Sequence, residues 1–173
     1  MPTLILLRHA KSDWPAGVRD IDRPLAERGI HDCVAVARSL SGREIHIDTA
    51  VVSPAARTVE TFERVFAAFG HLPRHEIEPR IYEANVQSLL DVVREQNSDT
   101  VMLVGHGPGI PQLSLLLAND FDSEPALRIR QKYPTAAVAV LHSDAEWANW
   151  GPGTCGLEDF FIPRANPSGP DQD

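Results

Sequence analysis

Apolar positions along the chain follow two rhythms. Residues 3–7, 49–52, 100–104 and 136–141 form short, nearly continuous apolar runs, as expected for strands covered on both faces of a sheet. Between them the spacing lengthens to that of amphipathic helices. Ile30, Cys33, Val34, Ala37 and Leu40 recur at helical intervals, with Pro24 as a suitable first-turn residue and Ser41-Gly42 as a stop. After the break at Ser53-Pro54, Val59, Phe62, Phe66 and Phe69 predict a second helix, closed by Gly70. Leu89, Leu90 and Val93 predict a third, and Leu113, Leu116 and Leu117 a fourth. The turn Gly105-His106-Gly107-Pro108-Gly109 leads into that fourth helix. A short strand is expected near 76–78, and 147–150 with 158–162 are expected to supply an antiparallel edge.

Strands alternating with helices of roughly 10 to 15 residues predict an α/β fold. The expected architecture is a three-layer α/β/α sandwich around a mainly parallel sheet. One domain over 1–165 accounts for the pattern, with no internal repeat and no linker. The Pro-, Gly- and Asp-rich residues 166–173 are expected to be disordered.

Composition narrows the function classes. A chain of 173 residues, 43% hydrophobic, is enough for one proper core. No apolar run approaches the roughly 20 residues of a membrane span. The first apolar stretch has no basic region before it and is cut short by Arg8-His9, so it reads as a buried strand instead of a signal peptide. A cytoplasmic location is the expectation. Two distant cysteines, Cys33 and Cys155, do not make a disulfide framework or a zinc ribbon. Cys33 falls on a helix's apolar face as a buried structural thiol. The net charge of −8 disfavours nucleic acid and anionic membranes as partners. Any anion site must then be built from local positive charge against the overall field.

In open α/β sheets, ligands bind beyond the carboxyl ends of the strands. Here the first strand delivers Arg8-His9, the second delivers Ser53 with Arg57 in the following turn, and the strand at 100–104 delivers Gly105-His106-Gly107. Two arginines and two histidines thus converge on one rim. Arginine clamps phosphate oxygens through a planar fork of donors. A neutral imidazole is an available nucleophile near pH 7, and a second one, if protonated, stabilises a phosphoryl group in transfer. Helices opening after Pro54 and Pro108 add backbone donors. Each residue taken singly has a plainer reading, as a hydrogen-bonding histidine, a tight turn or a surface arginine.

The three segments Leu6-Leu7-Arg8-His9-Ala10-Lys11-Ser12, Ser53-Pro54-Ala55-Ala56-Arg57-Thr58 and Val104-Gly105-His106-Gly107-Pro108-Gly109 resemble, in order, those of the histidine phosphatase superfamily. The similarity is greatest to its small SixA-type members, the phosphohistidine phosphatases, and Asp22-Arg23-Pro24-Leu25-Ala26-Glu27-Arg28-Gly29 resembles the segment before their first helix. The resemblance implies that His9 accepts the phosphoryl group and that Arg8, Arg57, His106 and Gly107 form the phosphate pocket. It further implies a two-step reaction without metal or cofactor.

Three departures matter. Ala10 stands where glycine is usual. Pro15 follows Trp14 where many relatives carry a phosphate-touching asparagine, so that contact is expected to be lost and Ser12 gains no assigned role. Larger relatives place an acid after the third strand, and Glu83 is the candidate proton donor by position; the plainer reading is a surface glutamate at a helix start. Asp20 and Asp22 lie in a rim loop without a motif behind them.

Only 16 residues separate Glu83 from Thr100, enough for one helix and no cap. An open site should admit a phosphate displayed on a protein, so a phosphohistidine-bearing carrier or relay protein is the expected substrate partner. Two alternatives stay open: a phosphatase or mutase for a small phosphorylated metabolite, and a silent module that binds phosphorylated ligands. A metal hydrolase using His9, His106 and Asp13 is disfavoured, since two adjacent arginines repel a cation. Tyr133-Pro134-Thr135 is a possible pocket lining.

Overall fold

The computed structural model describes residues 1–167. Six strands form one sheet: β1 (Thr3–Arg8), β2 (Thr49–Val52), β3 (Arg74–Ile77), β4 (Thr100–Gly105), β5 (Val138–His142) and β6 (Gly156–Phe161). Their order is β3-β2-β4-β1-β5-β6. The first four run parallel to one another, whereas β5 runs antiparallel to β1 and β6 antiparallel to β5. Five helices cover the sheet: α1 (Glu27–Gly42), α2 (Ala56–Phe69), α3 (Val86–Arg94), α4 (Gly109–Leu117) and α5 (Glu124–Gln131).

The period of two along each strand divides the apolar side chains between two cores. Ile5, Leu7, Ala50, Val52, Met102 and Val104 pack with Cys33, Val36, Leu40, Phe62, Val65 and Phe66 of α1 and α2. Leu4, Leu6, Val51, Val101 and Leu103 pack on the other face with Leu89, Leu90, Val93, Leu113, Leu117 and Ile129 of α3, α4 and α5. This is the three-layer arrangement expected from continuous apolar strands. Among the described residues, no helix is long and apolar enough to cross a membrane.

Several expectations need correction. The first helix begins at Glu27, not at Pro24, because Pro24 and Ala26 are tied to the loop: Asp13 N–H donates to the Pro24 carbonyl at 2.9 Å and Ala26 N–H to the Lys11 carbonyl at 2.9 Å. Residues 147–150 form no strand. Trp147–Asn149 is a 3₁₀ turn, the Trp147 ring lies 4.5 Å from that of Trp150 and tilted by 31°, and the antiparallel edge is β6 alone. The third strand occupies Arg74–Ile77, two residues before the expected start, so His75 lies on an edge strand. The fifth strand is shifted to Val138–His142. Val34 is partly exposed, although Cys33 beside it is buried. The helix α5 has no counterpart in the apolar pattern, because it buries only Ala126 and Ile129. The tail expectation falls, from residue 168 onward, outside the described residues.

One glycine shapes the rim. A Cβ on Gly29 of α1 would stand 2.1 Å from the Lys11 carbonyl oxygen, so only glycine lets the loop after β1 cross this helix.

Candidate active site

Register brings the site together. Arg8 at the end of β1 lies opposite Gly105 at the end of β4, and Val52 at the end of β2 lies opposite Val104. The residues just beyond, His9, Ser53 and His106, therefore meet at the carboxyl edge of the central strands. The rings of His9 and His106 sit 5.4 Å apart between centroids, tilted by 55°. His9 N–H donates to the Gly105 carbonyl at 3.0 Å, joining the two loops directly.

His9 is buried, and its Nδ1 lies 2.7 Å from the Ala10 carbonyl oxygen. A carbonyl only accepts, so Nδ1 carries the proton and Nε2 keeps its lone pair. Burial pushes the His9 pKa well below the usual imidazole value; the Ala10 hydrogen bond opposes this, and the charges of His106, Arg8 and Arg57 reinforce it. His9 is thus neutral at pH 7, with Nε2 poised as a nucleophile.

His106 is lowered to about 4, first by burial and then by Arg57. Its Nε2 shares a 2.7 Å hydrogen bond with Ser53 Oγ, and its Nδ1 has no hydrogen-bond partner among the described residues. A proton on His106 at neutral pH therefore requires negative charge brought by a ligand.

The two arginines are held from different sides. Arg8 Nη1 donates to the Tyr133 carbonyl at 2.8 Å, while Tyr133 Oη donates to the Leu6 carbonyl at 2.7 Å. The loop before β5 thereby fixes Arg8, and Tyr133 acts from behind the site through its backbone. Gly107 faces Arg8: a Cβ there would lie 3.6 Å from Arg8 Nε. Arg57, 6% exposed in the first turn of α2, donates from Nη1 to the Asp20 carbonyl at 2.8 Å and from Nη2 to Asp20 Oδ2 at 3.2 Å. Its Nε has no partner among the described residues. Thr61 bridges α2 to the β1 loop, accepting from Ala10 N–H at 3.0 Å and donating to the Arg57 carbonyl at 2.6 Å.

Sequence reasoning missed the participants that hold the rim. Tyr82 packs edge-on against His106, 5.7 Å between centroids, and donates to Asp20 Oδ2 at 2.6 Å. Arg23, 6% exposed, donates to Ser12 Oγ and the Asp13 carbonyl, both at 2.9 Å, and to Asp20 Oδ1 at 3.1 Å. Its guanidinium also lies 3.5 Å from the centroid of the exposed Trp14 ring. Ser12 thus supports Arg23. With Tyr82, Arg23 and Arg57 around it, the Asp20 carboxyl is lowered to about 2, the Tyr82 hydrogen bond being the largest cause. The only advance signal was the Arg23-Pro24 segment and the presence of an acid in a rim loop.

Glu83 is exposed with φ at 55°, and it makes no hydrogen bond or ion pair among the described residues. The fold places it beside Tyr82 but does not join it to the two histidines. Grooves of 560, 400 and 280 Å³ all lie elsewhere; the first runs past Thr3 and Thr100, where β1 and β4 begin.

Comparison with known proteins bears on this geometry. A family model described as histidine phosphatase superfamily (branch 1) matches residues 4–91. An uncharacterised protein of Mycobacterium tuberculosis is 33% identical over 162 residues, covering 91% of this chain and all of that one. Two solved structures described as candidate phosphohistidine phosphatases SixA are similar over most of the chain. The one from Nakamurella multipartitia is 30% identical with a TM-score of 0.82, covering 94% of this chain and 96% of its own. The one from Agrobacterium tumefaciens is 28% identical with a TM-score of 0.78, covering 94% and 99%.

Proposed function

The chain belongs to the histidine phosphatase superfamily, and from that premise we propose that it removes phosphate from phosphohistidine in a protein by way of a phosphoryl group carried on His9. The observation that carries this reading is the 2.7 Å contact from His9 Nδ1 to the Ala10 carbonyl, which leaves Nε2 as the nucleophilic atom among cationic donors.

In the first step the Nε2 lone pair attacks phosphorus and the bond from phosphorus to the substrate's imidazole nitrogen breaks. The leaving nitrogen takes the electron pair of that bond, and the ring departs as neutral imidazole because its other nitrogen already carries a proton. Arg8, the Nε/Nη2 edge of Arg57 and Nδ1 of His106 provide donors for the three equatorial oxygens. As the anion settles, its charge raises the His106 pKa from its depressed value, so a proton there stabilises the transferring group. In the second step water attacks the phosphoryl group on His9. Inorganic phosphate leaves, Nε2 recovers its lone pair, and the water's proton passes to phosphate or solvent.

Two features support phosphohistidine over a phosphate ester. An imidazole leaves without a strong acid, and Glu83, the candidate donor, makes no bond into the site. The segment between Glu83 and β4 is also short, with α3 as its one helix, as suits a phosphate displayed on a folded surface. Phosphate release in excess chelator, measured from a phosphohistidine protein, a phosphoserine peptide and a sugar phosphate, tests the reading. Preference for the first is expected. Preference for the sugar phosphate would keep the His9 chemistry and transfer the function to a small metabolite, and silence on all three would leave only ligand binding.

A further inference from the structure

The catalytic reading leaves one carboxylate unexplained. Asp20 is half-exposed in an otherwise polar loop, yet it accepts from three separate groups: Tyr82 Oη at 2.6 Å, Arg23 Nε at 3.1 Å and Arg57 Nη2 at 3.2 Å. The Arg57 contact is the informative one. Nε and Nη2 form the side-on edge with which a guanidinium grips an oxyanion. Here one tooth of that fork holds Asp20 Oδ2, and the other has no hydrogen-bond partner among the described residues. The loop itself is fastened independently, because Arg57 Nη1 donates to the Asp20 backbone carbonyl. The carboxylate can therefore leave Arg57 without undoing the loop.

We propose that Asp20 is a specificity-determining residue: its tethered carboxylate holds the phosphate-binding edge of Arg57 until a phosphoryl group displaces it. This rests on the phosphatase reading of the pocket and names what that pocket rejects. A carboxylate arriving from solution, or from an acidic side chain beside the phosphohistidine of a protein, offers Arg57 the same chemistry that Asp20 already supplies. Asp20 is already held beside Arg57 by its backbone carbonyl, Tyr82 and Arg23, whereas a free carboxylate must also give up its translational freedom, so the free one loses. A phosphoryl group offers more oxygens and more charge, and it engages Arg8 and His106 together with Arg57. The site then discriminates phosphate from carboxylate by internal competition.

The test is calorimetric titration of the full chain at pH 7 with inorganic phosphate, alone and against acetate. In the wild-type protein phosphate should bind and acetate at mM concentrations should not compete. In Asp20→Asn, phosphate should bind more tightly, by about tenfold if the carboxylate holds Arg57 nine-tenths of the time, and acetate should now compete. Tyr82→Phe, which frees one of the carboxylate's anchors, should shift both in the same direction by less. In an Arg57→Ala background the Asp20→Asn gain should vanish. Persistence of the full gain there would mean simple long-range repulsion and overturn the proposal, as would unchanged or weaker phosphate binding in Asp20→Asn. If neither wild type nor variant binds phosphate, the pocket reading itself fails and Asp20 has nothing to guard. A thermal melt of each variant confirms that it is folded.

Discussion

At the residue scale, a single backbone carbonyl decides the chemistry of His9. By accepting from Nδ1 it fixes the tautomer, and by burial the ring is kept neutral. His9→Ala should lower turnover by on the order of 10³-fold or more, with the melting temperature little changed because the residue lies at a strand end. Arg57→Ala should cost roughly 10²–10³-fold, as for other lost transition-state donors. Arg57→Lys should recover only part of this, since an ammonium lacks the fork. Steady-state rates on a phosphohistidine protein check all three, and near-wild-type rates in either alanine variant would contradict the assigned roles. The depressed histidines also make a stability prediction. His106 titrates at about 4 when folded and near 6.5 when unfolded. Between those values the unfolded chain binds more protons, so stability is complete above about pH 6.5 and falls as pH drops toward 4. His9 acts in the same direction. Asp20, lowered to about 2, keeps its partners through this window. The melting temperature of the wild type should therefore fall more between pH 7 and 5 than that of His106→Asn, and equal losses would argue against a neutral, buried His106.

At the element scale, the site is assembled by strand ends and secured by crossings that the apolar pattern does not encode. The central strands β1, β2 and β4 were legible because both of their faces are buried, which leaves continuous apolar runs. The placement of Arg8, His9 and His106 was legible because they end or directly follow those strands, and that of Arg57 because it lies in the first turn of the helix after β2. Tyr82 and Arg23 were not, since each reaches the site from a loop whose path depends on long-range contacts. Residues 147–150 suggested a strand because tryptophan is common in strands, yet here both rings are buried at a 3₁₀ turn. The helix α5 was missed because tertiary contacts and a Ser123 cap hold it more than periodicity does. The crossing at Gly29 gives a direct test of the loop's packing. Gly29→Ala places a methyl against the Lys11 carbonyl and should destabilise the fold by about 1–3 kcal/mol or more, as overpacking does. Denaturant titration measures this, and a stability unchanged within error would mean that the loop does not need this approach. The same variant should lose activity, because Lys11 and Ser12 carry the path to Arg23 and Asp20.

At the scale of the whole molecule, a net charge of −8 surrounds a pocket made of two arginines and two neutral histidines. The field disfavours anions generally, so attraction for phosphate is local and depends on desolvated donors at close range. The proposed protein substrate would bring its own docking surface and so depend less on this field than a small dianion arriving by diffusion. In the segment between Glu83 and β4, α3 is the one helix. In this SixA-like architecture the sheet sets His9, Arg8, Arg57 and His106 at one edge, and the loop at 11–25 sets the rim. The most direct test of this account is to mix the protein, in excess chelator, with a protein labelled with radioactive phosphate on histidine, and to quench during turnover. The account predicts label on His9 of this chain in an acid-labile, base-stable linkage, absent from His9→Ala. Turnover at the wild-type rate with no label on the chain, or with undiminished rate in His9→Ala, would contradict it.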